Sequence, residues 1–464
     1  MKSCWSPTML LPPKTCRLTC LIAGVVFLWL NQAAAAEREY QALTLEDCLA
    51  IARKENPVLS ASREKIRELV ADYQAARSSF FPKLTLLSYY TRQPANRFVS
   101  GGEPPPNLFT KELYGGITGK QVLFSGLKNY HNTQAAQKGT EAQKQEVQRT
   151  ADEVAYTVTE AFYRLIEAKE NLRVAQEALS QRQEFAKLTE AFYQAGKVTH
   201  LDSFRARSQV SEAEQAVAEA ETAVRLARQI LARSLGVKEN VQVDIRGRLP
   251  QQFVAAGDVN ALWQEALNNN PELKRIDLQL AQSQALVKAA RGGYFPEISL
   301  QGATDVRHRD QASARGANLT KEEYLYGIFL EFPFFQGGLT RAQVAKAVSQ
   351  NRQLLEAKRD RLDSLKADLT AAWKDQEDAR HGVTNTRQTV ATNEEAFASS
   401  QALYRSGKAI GLDVLQSQVD LTASRFQLIK YAVAYEIGKA RLQQIIGSGP
   451  YEPAPQKISG EQKK

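Results

Sequence analysis

One stretch of the sequence occurs twice. Asn56-Pro57 and the run Ala75-Ala76-Arg77-Ser78-Ser79-Phe80-Phe81-Pro82 return 214 positions later as Asn270-Pro271 and Ala289-Ala290-Arg291-Gly292-Gly293-Tyr294-Phe295-Pro296. Further along, Tyr193-Gln194-Ala195-Gly196-Lys197 with Leu201-Asp202 returns 211 positions later as Tyr404-Arg405-Ser406-Gly407-Lys408 with Leu412-Asp413. A unit of roughly 210 residues used twice is far longer than a solenoid repeat. It predicts a duplicated half-molecule with a pseudo-twofold relation, repeat 1 over 37–257 and repeat 2 over 258–449.

The N-terminus reads as an export signal over residues 1–36. Lys2, Lys14 and Arg17 precede a largely apolar run, Leu18 to Leu30, that is short for a membrane span, and Ala34-Ala35-Ala36 offers a cleavage site. The competing reading is an uncleaved anchor. Cleavage would remove Cys4, Cys16 and Cys20, leaving Cys48 alone. That excludes an intrachain disulfide and a multi-cysteine metal site in the mature chain. The formal charge would fall from +9 to +6, with acids and bases interleaved throughout. Such scatter is no nucleic-acid footprint. No apolar run in the mature chain approaches a spanning helix, so any membrane passage must use β-strands.

Prolines then mark the helices. None lies between Pro106 and Pro250, nor between Pro333 and Pro450. Helix interiors exclude proline, so helices are expected at about 127–194 and 200–235, and again at about 338–405 and 410–446. The first would be about 100 Å long. Val154, Val158, Ala161, Leu165, Ala168, Leu172, Ala175 and Leu179 alternate spacings of four and three. That 3.5-residue period is a coiled-coil seam. Ala206, Val210, Ala213, Val217, Ala220, Val224, Ala227 and Leu231 continue it after a short turn, so the two helices are antiparallel neighbours. Repeat 2 keeps the pattern less strictly through Leu365, Leu369, Ala372, Gln376, Ala379, Val383, Thr386 and Val390. The helix between Pro57 and Pro82, stacked on the helix at 200–235, nearly matches the long one in length.

Two hairpins are expected, at about 83–124 and 297–335. Residues 83–92 and 112–124 flank a Pro/Gly-rich loop, and 297–307 and 323–332 flank a polar one. Ile298, Leu300 and Val306 alternate with Ser299, Gln301, Asp305 and Arg307, while Tyr324, Tyr326, Ile328, Leu330 and Phe332 share one face. One apolar and one polar face suits a barrel with lipid outside and water inside; a half-buried hairpin on a soluble domain is the alternative. Four strands cannot close a barrel, for which about eight is the minimum, so several copies must share one. Periodicity gives the need for an oligomer and not its number.

Taken in order, these motifs resemble the TolC-like family of outer membrane efflux proteins over about 43–447. The resemblance rests on the paired Phe81-Pro82 and Phe295-Pro296 junctions and on the returns Phe124-Ser125-Gly126 and Phe335-Gln336-Gly337. It also rests on the paired Tyr-x-x-Gly-x(5)-Asp turns. It implies an α+β fold: long antiparallel coiled-coil helices forming a periplasmic α-barrel, and two hairpins giving four strands to a shared trimeric transmembrane β-barrel. It implies a homotrimer in the outer membrane of a Gram-negative cell. Its partners would be outer membrane lipid, a periplasmic adaptor (membrane fusion protein) and an inner-membrane pump, proton-driven (RND) or ATP-driven (ABC). Residues 237–257 would join an equatorial collar, and the polar tail 450–464 reads as disordered.

The resemblance also places the functional sites at the helix tips. Tyr193, Gly196, Lys197 and Leu201, with Gly407, Lys408 and Leu412, would dock the adaptor. Asp413, Gln416, Asp202 and Tyr404 would form the periplasmic gate. Asp413 matches a position that makes a ring of three carboxylates in relatives, which would favour cations. Gln416 stands where some relatives carry a second aspartate, and Ala409 where they carry an arginine, so a less selective entrance is expected. For Asp202 and Asp413 a capping role at the next helix is an equal reading.

Catalytic signatures are absent. His131, His200, His308 and His381 fit no metal spacing, and no nucleophile elbow or phosphate loop occurs. No enzyme activity, catalytic residue, cofactor, metal or nucleic-acid partner is expected. The leading function is the exit duct of a tripartite efflux system, a passive conduit for small molecules. The alternatives are the outer membrane component of a type I protein secretion system and, more distantly, a non-pore periplasmic coiled-coil protein.

Overall fold

The computed structural model describes residues 40–94, 109–237, 243–311 and 318–449; the expected signal peptide and C-terminal tail lie outside the described residues. Tyr40–Leu43 (β1) leads into Leu45–Glu55 (α1) and Pro57–Arg77 (α2). A hairpin of Lys83–Pro94 (β2) and Phe109–Ser125 (β3) precedes Lys128–Gln194 (α3) and His200–Leu235 (α4). After the short Val243–Ile245 (β4) the series returns: Val259–Asn269 (α5), Pro271–Arg291 (α6), Glu297–Gln311 (β5), Asn318–Glu331 (β6), Leu339–Arg405 (α7) and Gly411–Ile446 (α8).

Both long helices, α3 and α7, run 67 residues, about 100 Å at 1.5 Å per residue. Their seams are buried where the 3.5-residue period falls. Val158, Leu165, Leu365, Leu369 and Val383 are at most 1% exposed. Helix α3 packs against α2, α4, α6 and α8, while α7 packs against α6 and α8. Among the described residues no helix is long and apolar enough to cross a membrane.

Each long helix is matched by two shorter ones stacked end to end, and an asparagine joins them. Asn56 caps α2 by accepting from the Val58 and Leu59 amides at 2.9 and 3.3 Å, and its Nδ2 donates to the Ser234 carbonyl at the end of α4 at 2.8 Å. Asn270 does the same for α6 and α8. It accepts from Glu272 and Leu273 at 2.9 and 3.1 Å and donates to the Ile445 carbonyl at 2.7 Å. One side chain thus satisfies orphan donors of one helix and an orphan acceptor of the other.

The four long strands form one antiparallel sheet in the order β2-β3-β5-β6. They run beyond the stretches legible in the sequence: Asp310 pairs with Asn318 and Arg309 with Leu319. Polar residues there continue the ladder because only alternate positions must be apolar. Register puts Leu84, Leu86, Tyr90, Leu113, Ile117, Leu300, Tyr324, Tyr326, Ile328 and Leu330 on one face. Leu84, Tyr324 and Tyr326 are 75%, 80% and 80% exposed. The opposite face carries the charged residues, interspersed with Leu87, Tyr89, Leu325 and Phe329. Lys120 pairs with Glu297 at 2.8 Å, Arg307 approaches Glu112 at 3.6 Å, and Lys321 pairs with Glu323. Among the described residues both β2 and β6 keep a free edge.

The midpoint of the stalk holds the largest core. Leu49, Ala52, Val158, Leu165, Leu231, Leu235 and Val243 pack together, and Leu273, Leu365, Leu369, Leu442 and Ile446 form its counterpart. Here β4 pairs in parallel with β1, two strands too short to register in the sequence. Cys48 is free and fully buried; burial pushes its thiol up to about 12.

Candidate functional site

The ends of the helix pairs farthest from the sheet carry the candidate residues. Helix α3 stops at Gln194 and the chain turns at Gly196, whose φ of +69° lies in the left-handed region. The Gly196 amide donates to the Tyr193 carbonyl at 2.9 Å and the Lys197 amide to that of Phe192 at 2.8 Å. Gly407 repeats this at φ +74°, with the Gly407 amide on Tyr404 at 3.0 Å and the Lys408 amide on Leu403 at 2.9 Å. A six-to-one bond closing a helix over a left-handed glycine is the Schellman geometry.

The two turns differ in how the next helix starts. Thr199 caps α4 in a reciprocal box. Its hydroxyl donates to Asp202 Oδ2 at 2.7 Å, its amide donates to the same oxygen at 3.1 Å, and the Asp202 amide donates to Thr199 Oγ1 at 3.3 Å. In the second turn Ile410 stands at the cap and offers no acceptor side chain. Asp413, the counterpart of Asp202, is exposed and makes no side-chain hydrogen bond or ion pair among the described residues. Gln416 is also exposed and donates to Asp420 Oδ1 at 3.0 Å. Spacings of three and four put Asp413, Gln416 and Asp420 on one face of α8.

Tyr404 is 3% exposed. Its ring packs on Phe185 and Phe192, with centroids 5.1 and 5.6 Å away. Its hydroxyl lies 3.3 Å from Thr189 Oγ1. The Thr189 hydroxyl already donates to the Phe185 carbonyl at 2.9 Å, so Tyr404 is the donor between them. Tyr404 therefore ties the α7/α8 tip to the α3/α4 tip. Nearby, Gln418 is 1% exposed and donates to the Ala178 carbonyl at 3.2 Å. Arg425 bridges Glu177 of α3 at 3.2 Å and Glu394 of α7 at 2.7 Å.

The outer side of the first tip is a shallow groove between α3 and α4 lined by Ala186, Lys187, Glu190, Gln194 and Arg207. Glu190 accepts from Ser203 Oγ at 2.7 Å and Arg207 Nη2 at 3.1 Å. The Ser203 hydroxyl, aided by Arg207, holds its carboxyl below the usual carboxylate range. Apolar side chains stand out at both turns: Tyr193, Leu201 and Phe204 on one, Leu403, Ile410 and Leu412 on the other, all more than a third exposed. Lys197 lies over the Phe192 ring at 5.5 Å, and His200 packs edge-on to Phe204 at 4.0 Å. Lys408 is exposed.

Phe185, Thr189, Glu190, Gln418 and Asp420 escaped the sequence reading. A signal for the first two exists: the seam followed to Leu179 gives way to buried Ala178, Phe185 and Thr189. That shift turns the buried face of α3 toward α7 and α8.

The sequence profile described as "outer membrane efflux protein" matches residues 49–237 and 262–448. Outer membrane efflux protein BepC of Brucella suis is 24% identical over 417 residues, covering 88% of this chain and 85% of its own. Among solved structures, the Campylobacter jejuni CmeC outer membrane channel aligns with a TM-score of 0.75 at 15% identity, over 87% of this chain and 86% of that one. The Vibrio cholerae outer membrane protein VceC aligns with a TM-score of 0.74 at 16% identity, over 88% and 97%.

Proposed function

Because the chain belongs to the outer membrane efflux protein family, whose members are channels of the outer membrane, we propose that three copies form the exit duct of a tripartite efflux system. The duct passes small molecules delivered by an inner-membrane pump through a periplasmic adaptor.

One observation carries this reading. A four-stranded sheet has an aromatic and aliphatic face, a charged face and two free edges, and it stands on a helical stalk about 100 Å long. Free edges bearing exposed apolar side chains need partners, and closure with other copies supplies them while placing lipid outside and water inside. The stalk asks for the same partner. Leu226 and Ile230 of α4 and Leu355 of α7 are 56%, 51% and 48% exposed, on the two flanks that other copies would cover.

At the far end Asp413 contributes a ring of carboxylates at the constriction, with Gln416 and Tyr404 completing the gate. Asp202 serves the tip by fixing the first turn through its capping box. Tyr193, Gly196, Lys197 and Leu201, with Gly407, Lys408 and Leu412, present the turns to the adaptor. Apolar side chains ringed by lysines suit a helical hairpin with apolar anchors and acidic flanks.

Extraction tests the assembly. The protein is expected to leave membranes only with detergent, as a trimer that dissociates on heating. Release without detergent as a monomer or dimer would overturn the proposal.

A further inference from the structure

The two hairpins share one register. Lys83 pairs with Lys120 in the first and Glu297 with Glu331 in the second. Strand β5 thus follows β2 by 214 positions and β6 follows β3 by 211, the same two offsets that relate the copies in the sequence. Between the hairpins β3 pairs with β5. The counterpart of that inner joint is β6 against β2, and these are the two free edges among the described residues. A head-to-tail contact of this kind closes into a ring when copies of the chain repeat it.

Four features mark where the inner joint is made and its counterpart is not. Beyond Lys120, strand β3 continues to Ser125 by pairing with β5 alone; the matching stretch after Glu331 is not a strand. Phe124, covered by β5, is 37% exposed, whereas its counterpart Phe335 is 81% exposed. A Cβ on Gly126 would lie 2.3 Å from the Gly292 carbonyl oxygen and 2.7 Å from Phe295 Cβ, whereas a Cβ on Gly337 would meet nothing within 4 Å among the described residues. In the stalk Ala285 and Ala289 of α6 are buried, while Ala71 and Ala75 of α2 are exposed. The charged face of the sheet adds a fifth sign. Its apolar side chains Leu87, Tyr89, Leu325 and Phe329 all belong to the edge strands, where only a cross-strand neighbour can cover them.

We propose that β6 pairs antiparallel with β2 of the next copy in the register that the inner joint dictates; this rests on the closure of several copies into one barrel. Shifting the β3–β5 pairs by the two offsets sets Phe335 opposite Leu84 of the next copy, Pro333 opposite Thr85, Phe332 opposite Leu86, Phe329 opposite Tyr89 and Ile328 opposite Tyr90. Every pair keeps its face, which a slip of one residue would reverse. Pro333 takes the place of Val122 beside the bulge, where a strand tolerates proline. Phe329 meets the Tyr89 ring of the next copy, which already stacks on Tyr114 at 4.8 Å. Gly337 comes to lie against Ser78 and Phe81, the counterparts of Gly292 and Phe295. A Cβ on Gly292 would meet the Gly126 carbonyl oxygen at 2.8 Å, so Ser78 requires the facing backbone to shift, and Gly338 in place of Leu127 supplies that freedom.

Cysteine pairs in the full-length, detergent-solubilised protein test the register. Registered side chains have Cβ atoms about 4.5–5.5 Å apart and diagonal ones about 7–8 Å, and a disulfide spans only the former. Phe329→Cys with Tyr89→Cys, oxidised and run on a denaturing gel, is expected to link copies about fivefold more than Phe329→Cys with Leu87→Cys or with Thr91→Cys. Each single variant serves as the blank, and Cys48 is buried away from the reaction. Ile328→Cys with Tyr90→Cys repeats the test on the other face and keeps it decisive if the first pair fails to assemble. Light scattering on the same samples separates the two layers of the account. A trimer linked most strongly at a displaced pair, or at neither registered pair, would overturn the register and leave the exit duct standing. A monomer in detergent would overturn both.

Discussion

The hydroxyl of Tyr404 lies 3.3 Å from that of Thr189, inside a cage formed by Phe185 and Phe192. This contact joins the tip of the second helix pair to that of the first, and a stalk that opens by separating its pairs must break it. Tyr404→Phe removes one hydrogen bond, about 1 kcal/mol, and is expected to raise open probability several-fold in planar bilayers. Tyr404→Ala, which also empties a buried aromatic site at about 3–5 kcal/mol, should leave the channel mostly open. Unchanged gating in both variants would remove Tyr404 from the gate.

At the same end Asp413 carries an exposed carboxylate with no partner among the described residues. In a closed ring of such groups the local potential favours cations. Asp413→Asn should move the reversal potential measured across a potassium chloride gradient toward zero. Gln416→Asp should move it the other way. Equal reversal potentials in all three proteins would place the selective charge elsewhere.

Asn270 makes a second kind of joint, capping α6 while donating to the Ile445 carbonyl of α8. Asn270→Ala loses the cap at about 1 kcal/mol and leaves a buried carbonyl unpaired at about 1–3 kcal/mol. Asn270→Asp keeps the cap acceptor but sets a buried carboxylate oxygen against the Ile445 carbonyl. Thermal denaturation should rank wild type above both variants. An Ala variant as stable as wild type would contradict the joint.

The Asp152 carboxyl has a sign that can be checked. Its folded value of about 6 lies above the ordinary 3.8 because burial disfavours the charge. The stability it allows is therefore fully present below pH 3.8 and lost as pH rises through 6. Asp152→Asn should match wild type near pH 4 and exceed it at pH 8 by up to about 3 kcal/mol. Melting temperatures across that range provide the measurement; parallel pH curves would rule out the shift.

Leu127 sits at the start of α3 with φ +62°, where the second copy has Gly338 at +84°. A left-handed non-glycine residue costs about 1–2 kcal/mol, and glycine returns part of that as chain entropy. Leu127→Gly should raise stability by less than about 1 kcal/mol, and Gly338→Leu should lower it by about 1 kcal/mol. A loss on Leu127→Gly would show that the exposed leucine contributes packing elsewhere, such as against lipid.

Much of this architecture is written in the sequence. Period and proline spacing set the long helices because a seam such as Val154 to Leu179 must face one neighbour throughout. The alternation of Ile298 and Leu300 with Ser299 and Gln301 gave the sheet its two faces. What escaped was set by tertiary contact. Asn56 and Asn270 were visible as half of a repeated dipeptide, yet their reach to Ser234 and Ile445 spans 178 and 175 residues. At the tips, the glycine turns repeat legibly, but Tyr404 meets Thr189 across 215 residues, and no local pattern announces that pairing. Asp152 is buried by α1 and α8, helices that no local pattern around it announces.

The central claim is that this chain makes a water-filled duct closed at its helical tips. The most direct measurement is single-channel conductance of the purified protein in a planar bilayer, with and without Asp413→Ala and Tyr404→Ala together. Discrete conductance steps are predicted for wild type, small and cation-preferring, rising several-fold and losing that preference in the double variant. A folded, membrane-inserted protein that passes no ions in either form would contradict the account.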